Sequence, residues 1–122
     1  MANRILVVED NDDSRSMLVV TLRFYGYETI EAATGAEAVE KAISEKPDLI
    51  LMDLGLPDIS GVDAAKAVKK NPSTAHIPII AYTAWPSNAW KAKAVNAGMV
   101  DYLQKPVRAE LMKETIKKFM LP

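Results

Sequence analysis

Five short strand-like runs recur along the chain, at residues 4–8, 28–32, 48–53, 78–82 and 100–104, and a helix-like segment follows each one. The first, third and fourth are the most apolar, and runs of this kind suit parallel strands buried on both faces. The helix-like segments lie near 13–25, 35–46, 61–70, 87–97 and 107–119. Five strands alternating with five helices predict a parallel sheet covered by helices on both faces. The punctuation agrees with that reading. Gly26 and Gly98 stand where the first and fourth helices should end, and Thr34 with Glu37 forms a capping box for the second. Pro47 ends that helix, and Pro78 leads into the fourth strand. Asp12 or Asp13 is expected to cap the first helix, and Ser87 or Asn88 the fourth.

At 122 residues, without internal repeat, low-complexity segment or linker, the chain reads as one domain spanning 1–122. Hydrophobic residues at 49% and charged residues at 25% are those of a soluble globular protein. No apolar stretch approaches the roughly 20 residues of a membrane-spanning helix, so no membrane partner is expected. Met1-Ala2-Asn3-Arg4 runs straight into a strand, with no signal-peptide pattern. The lack of cysteine excludes disulfide and thiol chemistry and fits a cytoplasmic protein. A net charge of −1 provides no electrostatic attraction for nucleic acid.

The strand ends carry the chemistry. The run Ile5-Leu6-Val7-Val8 passes into Glu9-Asp10, and Leu49-Ile50-Leu51-Met52 ends in Asp53. The fourth strand leads to Thr83 and the fifth to Lys105-Pro106. In open α/β sheets the C-terminal strand edge is where ligands bind. Three carboxylates brought together there must be protonated or hold a cation, and a hard cation such as Mg²⁺ takes oxygen ligands. A lysine opposite them offers a point charge for a phosphoryl oxygen, and a threonine hydroxyl offers a hydrogen bond. The set suits a carboxylate nucleophile attacking phosphorus. Taken singly, each residue has an ordinary explanation: a loop-entry acid, a solvated turn, a surface lysine before proline. What favours the chemical reading is that all fall at the same end of alternating strands.

Five motifs extend the pattern. They are Ile5-Leu6-Val7-Val8-Glu9-Asp10-Asn11, Leu49-Ile50-Leu51-Met52-Asp53, Leu56-Pro57 with Gly61, Ile79-Ile80-Ala81-Tyr82-Thr83-Ala84, and Gly98 with Tyr102-Leu103-Gln104-Lys105-Pro106. In this order and spacing the chain resembles the receiver domain of response regulators, the CheY-like phospho-acceptor module of two-component signalling. The resemblance implies a flavodoxin-like doubly wound sheet of five parallel strands, order 2-1-3-4-5. Its switch point would lie between strands one and three, flanked by Asp10 and Asp53. It implies that Asp53 is the phosphorylated residue. Glu9, Asp10, Asp53 and the carbonyl of Gly55 would bind Mg²⁺, with Mn²⁺ as a substitute. Lys105, whose bond to Pro106 is typically cis in the family, would contact the phosphoryl group together with Thr83 and Ala84. Thr83 and Tyr102 would switch the face built from the fourth helix, fifth strand and fifth helix. The implied partners are a histidine kinase or histidine phosphotransfer protein and an unidentified downstream protein. A monomer is expected, with dimerisation on phosphorylation left open. Such a domain catalyses its own phosphorylation and dephosphorylation and is not a turnover enzyme.

Some positions depart from the family pattern. Gly55 and Trp85, each two residues beyond a site residue, would tune phosphate lifetime, Trp85 by shielding the acyl phosphate from water. Trp90 is a candidate partner contact, or packs locally against Trp85. Two other functions could use the same strand ends. An aspartyl-phosphate hydrolase needs a general acid-base, commonly an Asp two positions after the nucleophile, where Gly55 stands. A flavin carrier needs a hydroxyl- and glycine-rich loop after the first strand, where Glu9-Asp10-Asn11-Asp12-Asp13 would repel phosphate. A degenerate receiver would lack the acids that are present here. His76 reads as a solvated loop residue. Arg108, Lys113, Lys117 and Lys118 read as the solvated face of the last helix, and Met17, Met112 and Met120 as core filling.

Overall fold

Each strand-like run becomes a strand and each helix-like segment a helix. Residues 3–55, 60–84 and 88–120 are described by a computed structural model, residues 88–90 by their backbone alone. The strands are β1 (Arg4–Val8), β2 (Glu28–Ala32), β3 (Leu49–Asp53), β4 (Ile79–Thr83) and β5 (Asp101–Gln104). The helices are α1 (Asp12–Phe24), α2 (Gly35–Glu45), α3 (Gly61–Lys70), α4 (Asn88–Asn96) and α5 (Ala109–Phe119). All strand pairings are parallel, in the order β2-β1-β3-β4-β5. The chain leaves β1 for one edge of the sheet and returns past it to β3, so the switch point lies between β1 and β3, as expected.

Burial on both faces explains the strand composition. Leu6 and Val8 of β1 pack with α2, α3 and α4 residues such as Ala38, Ala65 and Ala94. Ile5 and Val7 point the other way, into a cluster with Leu18 and Leu22 of α1 and Met112 and Ile116 of α5. β3 is buried along its whole length, whereas the edge strand β2 is buried only at Ala32. A central parallel strand has no solvent face, so alternation disappears and a continuous apolar run remains.

Most of the punctuation holds. Gly26 and Gly98 follow α1 and α4 with φ of 91° and 90°. Glu37 N–H donates to Thr34 Oγ1 at 3.1 Å, and the Glu37 carboxylate accepts from Ala33 N–H at 2.7 Å. The cap of α1 differs from the expectation. Asn11, not Asp12 or Asp13, accepts from Ser14 N–H at 2.8 Å, and the two aspartates fall in the first turn. There they face the positive end of the helix dipole without capping it. The helix α4 begins at Asn88, and Ser87 lies outside the described residues. Met112 and Met120 are buried as expected, but Met17 is 69% exposed. The buried stripe of α1 is Leu18, Val19 and Leu22, and Met17 sits just beside it. His76 is exposed in the segment between α3 and β4.

Candidate functional site

The register of the sheet assembles the site. Val8 pairs with Met52, so Glu9 and Asp53, the next residues of each chain segment, stand side by side at the C-terminal edge. Asp53 pairs in turn with Tyr82, and Thr83 with Gln104, which brings Thr83 and Lys105 onto the same rim. The backbone N–H of Lys105 donates to the Thr83 carbonyl at 2.8 Å, and the Lys105–Pro106 peptide is cis. Carboxylate oxygens of Glu9, Asp10 and Asp53 all lie within 4.8 Å of one another. Glu9 is 1% and Asp53 7% exposed, whereas Asp10 faces solvent.

Lys105 lies across the two buried acids. Its Nζ is 2.6 Å from Glu9 Oε1 and 3.3 Å from Asp53 Oδ2. The other Asp53 oxygen, Oδ1, accepts from Gly55 N–H at 3.0 Å, so the backbone turns tightly around the carboxylate. That turn is held from behind by α3. Gly61 N–H donates to the Leu54 carbonyl at 3.1 Å, and a Cβ on Gly61 would fall 2.2 Å from the Asp53 carbonyl oxygen. Only glycine permits the approach.

One ammonium does not neutralise three acids. Burial, reinforced by a hydrogen bond and charge from Asp53, pushes the Glu9 carboxyl from 4.5 up to about 7, against the opposing pull of Lys105. Burial alone would lower the Lys105 ammonium, but Glu9 and Asp53 outweigh it and hold Lys105 above its ordinary value. A buried acid that favours its proton near neutrality marks a place for added positive charge. The donors are all carboxylate oxygens, which fits a hard divalent cation.

The remaining expected residues divide clearly. Thr83 is buried at the end of β4, and Ala84 is exposed beside it. Tyr102 lies on β5 with 37% of its surface exposed, and the Lys91 ammonium stands 4.6 Å from its ring centre. Its ring is therefore turned outward, toward α4. Trp85, Leu56 and Pro57 lie outside the described residues, and Trp90 is described by its backbone only, within α4.

Two contributors escaped the sequence reading. Arg15 on α1 donates from Nη1 to the Glu9 carbonyl at 2.9 Å and pairs with Asp12 at 2.6 Å and Glu31 at 3.1 Å. It ties the acidic turn to α1 and to the end of β2. An arginine one turn into α1, just after the acidic run from Glu9 to Asp13, was the available signal. Tyr82, the residue before Thr83, places its ring 4.8 Å below the Lys105 ammonium. A tyrosine in a run of aliphatic residues was the only hint of it.

Known proteins resemble this chain over nearly its whole length. The family description of the response regulator receiver domain fits residues 5–117. The polar-differentiation response regulator DivK of Brucella anthropi is 35% identical over 120 residues, covering 98% of both chains. The Vibrio cholerae chemotaxis protein CheY4 superposes with a TM-score of 0.93 at 30% identity, over 98% of this chain and 100% of that one. The receiver domain of a sensor histidine kinase from Pseudomonas aeruginosa, solved with a magnesium ion coordinated in its active-site cleft, gives a TM-score of 0.91. It is 32% identical, with 98% of each chain covered.

Proposed function

The chain belongs to the response regulator receiver domain family of two-component signalling, and on that premise we propose that Asp53 accepts a phosphoryl group from a phosphohistidine donor. The observation that carries the proposal is the environment of the Asp53 carboxylate. One oxygen is tethered by Gly55 N–H, the other faces the Lys105 ammonium, and two further acids stand within cation-sharing distance. In the transfer, an Asp53 oxygen forms a bond to phosphorus as the bond from phosphorus to the donor imidazole nitrogen breaks. The Gly55 and Lys105 contacts hold the nucleophile in one orientation, and Lys105 is placed to receive charge on the transferred oxygens. Glu9, Asp10, Asp53 and the Gly55 carbonyl would hold Mg²⁺, which supplies charge neutralisation between carboxylate and phosphoryl oxygens when bound. Mn²⁺ offers the same coordination chemistry. Ala84, being small, leaves the approach to Asp53 open.

Thr83 and Tyr102 would report the modification. Thr83 ends β4 beside the strand that carries Asp53, and Tyr102 lies on the neighbouring β5 against Lys91 of α4, so a shift at Thr83 would pass through the β4–β5 pair to Tyr102. The face of α4, β5 and α5 then changes its population of states, and a downstream protein reads that change. Lys91, Val95, Val100 and Tyr102 line a cavity of about 240 Å³ on this face. The domain is a cytoplasmic monomer that switches and does not turn over a separate substrate. Gly55, where a hydrolase would carry its acid-base residue, supports that last point.

Mass spectrometry after incubation with acetyl phosphate and Mg²⁺ tests the proposal. One phosphoryl adduct in the wild type, absent from Asp53→Asn, is the expected result. A wild type without adduct refutes it.

A further inference from the structure

Lys105 has a third contact that the acid cluster does not explain. Its ammonium, already shared between Glu9 and Asp53, also stands 4.8 Å from the centre of the Tyr82 ring. We infer that Tyr82 is a positioning residue whose ring face holds the Lys105 ammonium over the site. The consequence for catalysis rests on Asp53 phosphorylation as proposed above.

The argument begins with the lysine itself. A lysine carries its charge on a flexible four-carbon stem, and keeping the ammonium in one place costs rotamer entropy. The backbone of Lys105 is fixed by its bond to the Thr83 carbonyl, but that does not determine where Nζ lies. The two carboxylate contacts are conditional. Both acids belong to the cluster that suits a cation, which would draw on the same oxygens. The ring contact does not depend on that occupancy. Tyr82 sits on β4 directly opposite Asp53 in the parallel ladder, so its position relative to the nucleophile is set by the sheet. Its ring packs against the core cluster between α1 and α5. Burial raises its phenol above the ordinary value, so the ring stays neutral and keeps its electron-rich face.

A cation–aromatic contact of this kind, partly screened from water, corresponds to about a fivefold change in a rate that depends on the lysine's position. The test uses Tyr82→Phe, which keeps the ring face, and Tyr82→Leu, which removes it. Tyr82→Met serves as a second aliphatic variant if Tyr82→Leu does not fold. In NMR spectra of the unphosphorylated protein, the Lys105 ε-methylene protons should be shifted upfield by the ring in wild type and Tyr82→Phe. They should return to ordinary lysine positions in the aliphatic variants. Phosphorylation by acetyl phosphate should be about fivefold slower in the aliphatic variants and within about twofold of wild type in Tyr82→Phe. Identical Lys105 shifts in wild type and the aliphatic variants overturn the placement. A normal phosphorylation rate in the aliphatic variants overturns the catalytic consequence. A wild type that shows the ring shift but forms no adduct refutes the Asp53 proposal while leaving the placement of Lys105 intact.

Discussion

Replacing Glu9 by glutamine should change how stability depends on pH, and the effect can be worked out from the site. Glu9 is 1% exposed, beside Asp53, and its carboxyl is pushed from 4.5 in the unfolded chain up to about 7. Between those values the metal-free folded protein holds a proton that the unfolded chain has released. Stability therefore falls as pH rises from about 4.5 to about 7 and levels off above. At about 1.4 kcal/mol per tenfold difference in proton affinity, that interval is worth about 3 kcal/mol. Lys105, also raised, acts elsewhere: its stabilisation is full below its ordinary value and is lost only as pH climbs through the raised one. Glutamine keeps the shape of Glu9 and its hydrogen-bonding capacity but removes the titration. The assay is urea unfolding by circular dichroism at several pH values from 4.5 to 8, with a chelator present throughout. Wild type should lose about 3 kcal/mol across this range relative to Glu9→Gln. Parallel curves for the two proteins would show that Glu9 does not titrate in the window, and the electrostatic reading of the cluster would fail.

Two further outcomes follow from the supports of the site. Gly61→Ala drives a Cβ to 2.2 Å from the Asp53 carbonyl oxygen and 2.8 Å from Leu54 Cα, both main-chain atoms. It should destabilise by about 2–3 kcal/mol, a fall in Tm of about 10 °C by calorimetry, and slow Asp53 phosphorylation. A Tm within about 2 °C of wild type would mean that the β3–α3 approach is not tight. Arg15→Met removes the donor to the Glu9 carbonyl and the partner of Asp12 and Glu31. Mg²⁺ affinity by titration calorimetry should weaken about tenfold, as expected when a group that orients metal ligands is lost. Unchanged affinity would assign Arg15 to the surface alone.

Much of the fold was legible because its rules are local. β1, β3 and β4 read as continuous apolar runs since a central parallel strand is covered on both faces, and Ile5, Leu6 and Leu49 to Met52 are all buried. The Thr34–Glu37 cap was readable because both partners lie within one helical turn. The α1 cap was misassigned because Asn11, Asp12 and Asp13 are consecutive and all able to cap. The choice depends on where β1 releases the chain, which no local pattern encodes. Met17 failed for a related reason: helical spacing defines a stripe, but its edges are set by what α5 and the sheet cover.

Local patterning along the chain specifies which groups stand at the strand ends. Glu9, Asp10, Asp53, Thr83 and Lys105 each follow or close a recognisable strand, and parallel topology sends all strand C-termini to one edge. Tertiary structure alone decided which groups touch. Lys105 and Glu9 are 96 residues apart, and only the β1–β3–β4–β5 register brings Nζ to 2.6 Å from Oε1. The same register puts Tyr82 beneath the ammonium, and the turn from β1 into α1 puts Arg15 on the Glu9 carbonyl. Burial, too, is a property of the whole packing, and it moves the Glu9 carboxyl to about 7. Sequence spacing specifies chemistry along the chain, whereas desolvation and cross-strand distance exist only once the layers close.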